Sequence, residues 1–111
     1  MNEDLFINKL NKLLPDGFEA KKFNRMPRIH IKYRHYGFAV IDLRSDYYNL
    51  YVLGGLFSSI GVTRFERVKS YSNKTNRIMR IPYEDTVVLE KLLKYVKDNP
   101  FIVESSAVQS Y

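Results

Sequence analysis

Arg28, His30, Lys32 and Arg34 alternate with Ile29, Ile31 and Tyr33 over one unbroken stretch. Lysine and arginine neutralise phosphates, and tyrosine rings stack on bases. A surface that interleaves these residue types therefore suits a nucleic acid. Further cations stand at Arg25, Arg64, Arg67, Lys69, Arg77 and Arg80, and the chain holds nine tyrosines. Between residues 20 and 82 there are thirteen Lys/Arg against three acids (Asp42, Asp46 and Glu66), a local balance of +10. The remainder carries five Lys/Arg against nine acids, a balance of −4. The positive charge thus belongs to the middle of the chain, where its field would attract a polyanion. Solvation of an outer face and protection of edge strands would use the same residues.

Catalytic groups are harder to find. Pro15-Asp16 followed by Glu19-Ala20-Lys21 has the letters of an acid, acid-x-lysine nuclease site. That chemistry takes its acids from separate strands around a metal, and two intervening residues cannot make such a hairpin. His30 and His35 are the only histidines, and cysteine is absent. No acid stands near either histidine at metal-ligand spacing, so no metal site is expected. There is no Gly-x-Ser-x-Gly turn, and Gly54-Gly55 with Gly61 lacks the Lys-Ser/Thr of a phosphate loop. Glu84-Asp85 suits a helix N-terminus better than catalysis. The segment Gly37-Phe38-Ala39-Val40-Ile41 partly matches the aromatic motif of RNA-recognition domains. It departs at Tyr36, where a Lys or Arg belongs, and at Val40 and Leu43, where aromatics belong. The expectation is a protein that is no enzyme and uses no cofactor.

The elements that position the cations follow from periodicity. Strict alternation over residues 28 to 34 predicts a half-buried strand. Apolar runs at Phe38–Leu43 and Tyr47–Leu53 follow after short breaks, which predicts an antiparallel meander. Phe38–Leu43 is apolar on both faces, as a central strand is. Leu5, Phe6, Leu10, Leu13 and Leu14 predict an amphipathic helix over residues 3 to 14, ended by Pro15-Asp16-Gly17. Residues 18 to 24 alternate weakly and predict a first strand. Leu56 to Ile60 suit a helical turn, residues 62 to 71 an extended or irregular segment, and residues 72 to 76 a polar turn. A short strand over residues 77 to 81 ends at Pro82. Val88, Leu89, Leu92, Leu93 and Val96 form the stripe of a last helix, from Glu84 or Asp85 to Lys97. Two terminal helices around an antiparallel sheet make a two-layer α+β sandwich with four to five strands. Its helices should share one face and leave the cations on the other.

At 111 residues the chain is read as one α+β domain over residues 1 to 100, with a C-terminal tail at 101 to 111. Zero cysteines exclude a disulfide framework. No apolar run is long enough to span a membrane, and the acidic start lacks the basic region of a signal peptide. A cytoplasmic protein is expected. The richness in Lys, Asn, Ile and Tyr would suit an AT-rich genome, such as that of a low-GC bacterium or its phage.

The layout resembles the small α-β-α domains of the MmcQ/YjbR and YdhG kind. The residues that carry the likeness are Phe38–Leu43, Tyr47–Leu53 and Arg77–Pro82 leading into residues 84 to 97. Such domains have a leading helix, a strand meander and a closing helix after a short strand. Where they often hold a Trp or His before the last strand, this chain has Ser70-Tyr71-Ser72. The resemblance implies an unassigned or DNA-associated domain without known catalysis. From the residues themselves, the first expectation is a non-enzymatic module that binds DNA or RNA. Its contacts would be Arg25, Arg28, His30, Lys32, Arg34, Arg64, Arg67, Lys69, Arg77 and Arg80. The alternative is a protein-interaction module, such as a phage or mobile-element inhibitor or adaptor. It would bind an acidic partner or a nucleic-acid-binding host protein, with tyrosines as anchors. A homodimer through an edge strand is a further option.

Overall fold

The computed structural model describes residues 3–22, 27–52, 56–62, 66–69 and 75–102. Helix α1 spans Glu3–Leu13. Strands β1 (Phe18–Lys22), β2 (Arg28–Tyr33), β3 (Tyr36–Leu43) and β4 (Tyr47–Val52) follow. The short helix α2 (Leu56–Ser59) precedes β5 (Glu66–Lys69) and β6 (Thr75–Pro82), and α3 (Val87–Asp98) closes the fold. The expectations for Arg25, Gly54-Gly55, Arg64, residues 70 to 74 and residues 103 to 111 concern positions outside the described residues.

The fold is the two-layer α+β sandwich that the periodicity predicts. All strand pairs are antiparallel, in the order β1-β2-β3-β4-β6-β5. The first four strands form the meander. The sheet holds six strands, because residues 66 to 69 add an outer strand to β6. β6 therefore lies between β4 and β5.

One face of the sheet carries the core. Ile29, Ile31, Tyr33, Ala39, Ile41, Leu43, Tyr48, Leu50, Val52 and Ile81 are all buried there, in one cluster with both long helices. From α1 come Phe6 and Leu10, and from α3 Val88, Leu89, Leu92, Leu93 and Val96. The stripe of α3 is as read from the sequence. Leu5 is exposed instead, since the inward face of α1 is set by Phe6, Leu10 and Leu13 at four- and three-residue steps. α3 begins later than Glu84, because the Asp85 carboxylate accepts the Val87 N–H at 3.0 Å from outside the helix.

A bulge explains why β3 looks apolar on both sides. Ile31 pairs with Ala39 and Lys32 with Gly37, so Phe38 is an extra residue opposite the junction. Phe38 and Ala39 are both buried, although adjacent. The bulge shifts the phase of the strand, and Val40 and Asp42 then face away from the core.

An aromatic cluster ties α1 to the sheet. The Phe6 ring packs tilted at 4.6 Å from Tyr48 and 5.2 Å from Tyr83, centroid to centroid. The Tyr48 hydroxyl donates to the Asp85 carbonyl at 2.8 Å, and the Tyr83 hydroxyl donates to the Arg44 carbonyl. Tyr83 thereby fastens the turn between β3 and β4 to the core. Tyr83→Phe should lower stability by about 1–2 kcal/mol, because the Arg44 carbonyl loses its donor. Urea unfolding reads this directly, and an unchanged midpoint would show that the bond is dispensable.

Candidate nucleic-acid interface

The second face of the sheet is built by the alternate residues of the same strands. The register sets them in rows across the sheet. Lys21, His30, Val40, Tyr51 and the Ile78 position form one row over β1, β2, β3, β4 and β6. Arg28, Asp42, Asn49 and Arg80 form the next. Glu19, Lys32 and Gly37 form a third, on the other side of the first. Directly paired side chains lie about 5 Å apart, and successive rows about 7 Å apart. Arg28, His30, Lys32, Val40, Tyr47, Asn49 and Tyr51 are half-buried, and Lys21 and Arg80 are exposed. None of them belongs to the core cluster.

Asp42 organises the arginine row. It is only 3 % exposed, yet it lies on the face away from the helices. Its carboxylate accepts the Arg44 guanidinium at 2.7 Å and lies 3.7 Å from that of Arg28. Residues two apart in a strand share a face, which brings Arg44 back over Asp42. One acid thus holds two arginines, with Asn49 beside it in register. Arg80 is held separately. Its guanidinium sits 4.0 Å above the Tyr47 ring centroid, and it donates to the Tyr47 hydroxyl at 2.9 Å. Stacking of this kind keeps a cation oriented without neutralising it.

His30 sits in the middle row with a pKa lowered from its ordinary 6.5, first by burial and then by the positive charges of Lys32 and Arg28. It is therefore a neutral ring at physiological pH. Protonation favours the unfolded chain, whose histidine keeps the ordinary value. Stability from this group is present above pH 6.5 and is lost as pH falls from there through the lowered folded value. An NMR titration should place the His30 midpoint below 6.5. His30→Gln should flatten the acid side of the stability profile.

Of the residues expected to bind, Arg28, His30, Lys32 and Arg80 come together on this face. Arg34 occupies the β2–β3 turn with a φ of 57°, its guanidinium 5.2 Å from the Tyr33 ring centroid. It belongs to the tip of a hairpin rather than to the rows. The backbone register sets Arg77 opposite Val52, in phase with Met79 and Ile81. It sets Arg67 opposite Arg77, and Lys69 opposite Thr75. These three positions alternate with that of Arg80, so the register does not bring them into the arginine row. Arg25 and Arg64 lie outside the described residues.

Sequence reasoning missed Lys21, Arg44 and Asp42 as members of the face. The signal for two of them was present, since Asp42-x-Arg44 at strand spacing puts acid and base on one side. Among the described residues no group of three or more His, Asp or Glu side chains could hold a metal ion. No helix among them is long and apolar enough to cross a membrane. Comparison with protein-family models, with curated proteins and with solved structures gives no match to this chain.

Proposed function

We propose that the protein is a non-enzymatic nucleic-acid-binding module that works through this open sheet face. The observation that supports it is the juxtaposition of Arg28, Lys32, Arg44 and Arg80 with Tyr47, Tyr51 and a neutral His30 on one side of a sheet. Cations for phosphates and flat rings for bases then lie within one surface. The reading places the protein in the cytoplasm, where its partner would be DNA or RNA.

The face offers five cations, Lys21, Arg28, Lys32, Arg44 and Arg80, and two acids, Glu19 and Asp42, offset part of them. Binding through that many phosphate contacts should weaken by about 10²-fold between roughly 50 and 200 mM salt. Fluorescence polarisation with labelled duplex DNA, single-stranded DNA and RNA measures this. Absence of binding to all three at low salt would end the reading.

The Tyr47–Arg80 pair also favours a second reading. Tyr and Arg are the side chains that most often anchor protein interfaces. The module would then be a phage or mobile-element adaptor or inhibitor that docks on an acidic or nucleic-acid-binding host protein. Capture from lysate before and after nuclease treatment separates the two. A partner lost with the nucleic acid fits the first reading, and a protein that stays bound fits the second. A homodimer would have to avoid β1, whose exposed Glu19, Lys21 and Lys22 blunt that edge.

A further inference from the structure

We propose that the open face takes single-stranded rather than duplex nucleic acid, with bases on the His30–Val40–Tyr51 row and the backbone along the Arg28, Arg44 and Arg80 row. This inference rests on the nucleic-acid reading above and adds the form of the ligand to it.

Width argues first. Six strands span about 24 Å from the first to the last, whereas the major groove of a duplex is about 12 Å wide and admits a helix or a two-stranded ribbon. The face therefore cannot enter a groove and read base edges. Against a duplex it could touch only the outer phosphates.

The order of the rows argues second. A surface made to lie on phosphates alone would be polar throughout. Here the row between the arginines and Lys32 has an imidazole, an isopropyl group and a phenol at its centre, with Lys21 at its β1 end. A duplex turns its sugar-phosphate edge outward and gives these groups nothing to stack on. Unpaired bases present flat faces that match them. His30 and Tyr51 stand two strand spacings apart, about 10 Å, enough for two splayed bases to lie side by side. The arginine row runs parallel, about 7 Å away, within reach of the backbone that joins those bases. Arg28 and Arg44 meet at Asp42 beside the row, and Arg80 lies over the Tyr47 ring. The positions of His30, Val40 and Tyr51 carry no formal charge while His30 is neutral, with Lys21 at their β1 end, and they divide the arginines from Lys32.

The test uses the full chain and one oligodeoxynucleotide containing 2-aminopurine, free or annealed to its complement. The single strand should bind at least about tenfold more tightly than the duplex, with 2-aminopurine emission quenched by stacking. Tyr51→Leu keeps apolar bulk and charge but removes the ring. It should lower single-strand affinity about 5- to 100-fold, the range for loss of one stacked base, without changing the salt slope. Tyr51→Phe should bind as wild type does, which shows that the ring and not the fold is at issue. Equal or tighter binding of the duplex, or wild-type affinity for Tyr51→Leu, would overturn the single-strand inference and leave the nucleic-acid reading standing. Binding of neither form would overturn both.

Discussion

Tyr48→Ala is expected to remove most of the stability of the fold. Tyr48 is fully buried and, with Tyr83, is among the largest fully buried side chains. Its ring packs on Phe6 of α1 at 4.6 Å and stacks with Tyr83 at 6.0 Å. Truncating a buried aromatic to alanine costs about 3–5 kcal/mol through lost transfer energy and the cavity left behind. The lost donor to the Asp85 carbonyl adds about 1 kcal/mol. A domain of this size has a total stability of roughly 5–15 kcal/mol. The variant should therefore be partly or wholly unfolded at room temperature by circular dichroism. Tyr48→Phe keeps the ring and should lose only the hydrogen-bond share. A Tyr48→Ala protein with a wild-type urea midpoint would mean that the helices are held elsewhere. Burial and the nearby Asp85 also push the Tyr48 phenol well above its ordinary 10.0, so the ring stays neutral into strong alkali.

Asp42→Asn should move stability and binding in opposite directions. The carboxylate is buried and holds Arg44 and Arg28. Removing its charge leaves two guanidinium groups without their counter-ion, with a single neutral amide oxygen in its place, at a cost of about 1–3 kcal/mol. The loss is moderated because Arg44 is half-exposed and can turn to water. The same change raises the charge of the face by one and frees two cations. Affinity for nucleic acid should rise at low salt, and the salt slope should steepen by about one. A variant that loses affinity along with stability would show instead that Asp42 orients the arginines for binding, and that orientation outweighs charge.

The sheet was legible where alternation was strict and where chain neighbours pair. Arg28–Tyr33 could be phased from its residues alone, because every second side chain is apolar and the burial follows that pattern. The α3 stripe was legible for the same reason. Phe38–Leu43 could not be phased, since a bulge buries two consecutive residues and periodicity has no mark for an inserted one. The outer position of β5 depends on which distant edges meet, and sequence spacing does not encode that. The tyrosines were ambiguous because one residue type serves both faces. Tyr48 and Tyr83 fill the core, while Tyr47 and Tyr51 lie on the open side.

The candidate site was legible in part. Counting charge located the basic region, and alternation grouped Arg28, His30 and Lys32. Counting could not assign Arg67, Lys69 and Arg77 to a side of the sheet, because that depends on the register of β5 and β6. In the sequence Asp42 stood only as one of three acids in the basic region. Its part in holding two arginines appears only once its burial and their distances are known.

The central claim is that this particular face binds nucleic acid, and charge reversal on it is the most direct test. Lys21→Glu/Arg80→Glu reverses two exposed cations of the face. Lys91→Glu/Lys94→Glu makes the same change in net charge on the exposed side of α3. Affinity for one labelled single strand should be measured for both and for wild type, at low salt and after matching thermal melts. The face variant should lose about 10²-fold and show a salt slope smaller by about two, while the helix variant stays within a few-fold of wild type. Equal losses in the two variants would contradict the account, since attraction would then follow net charge rather than this surface.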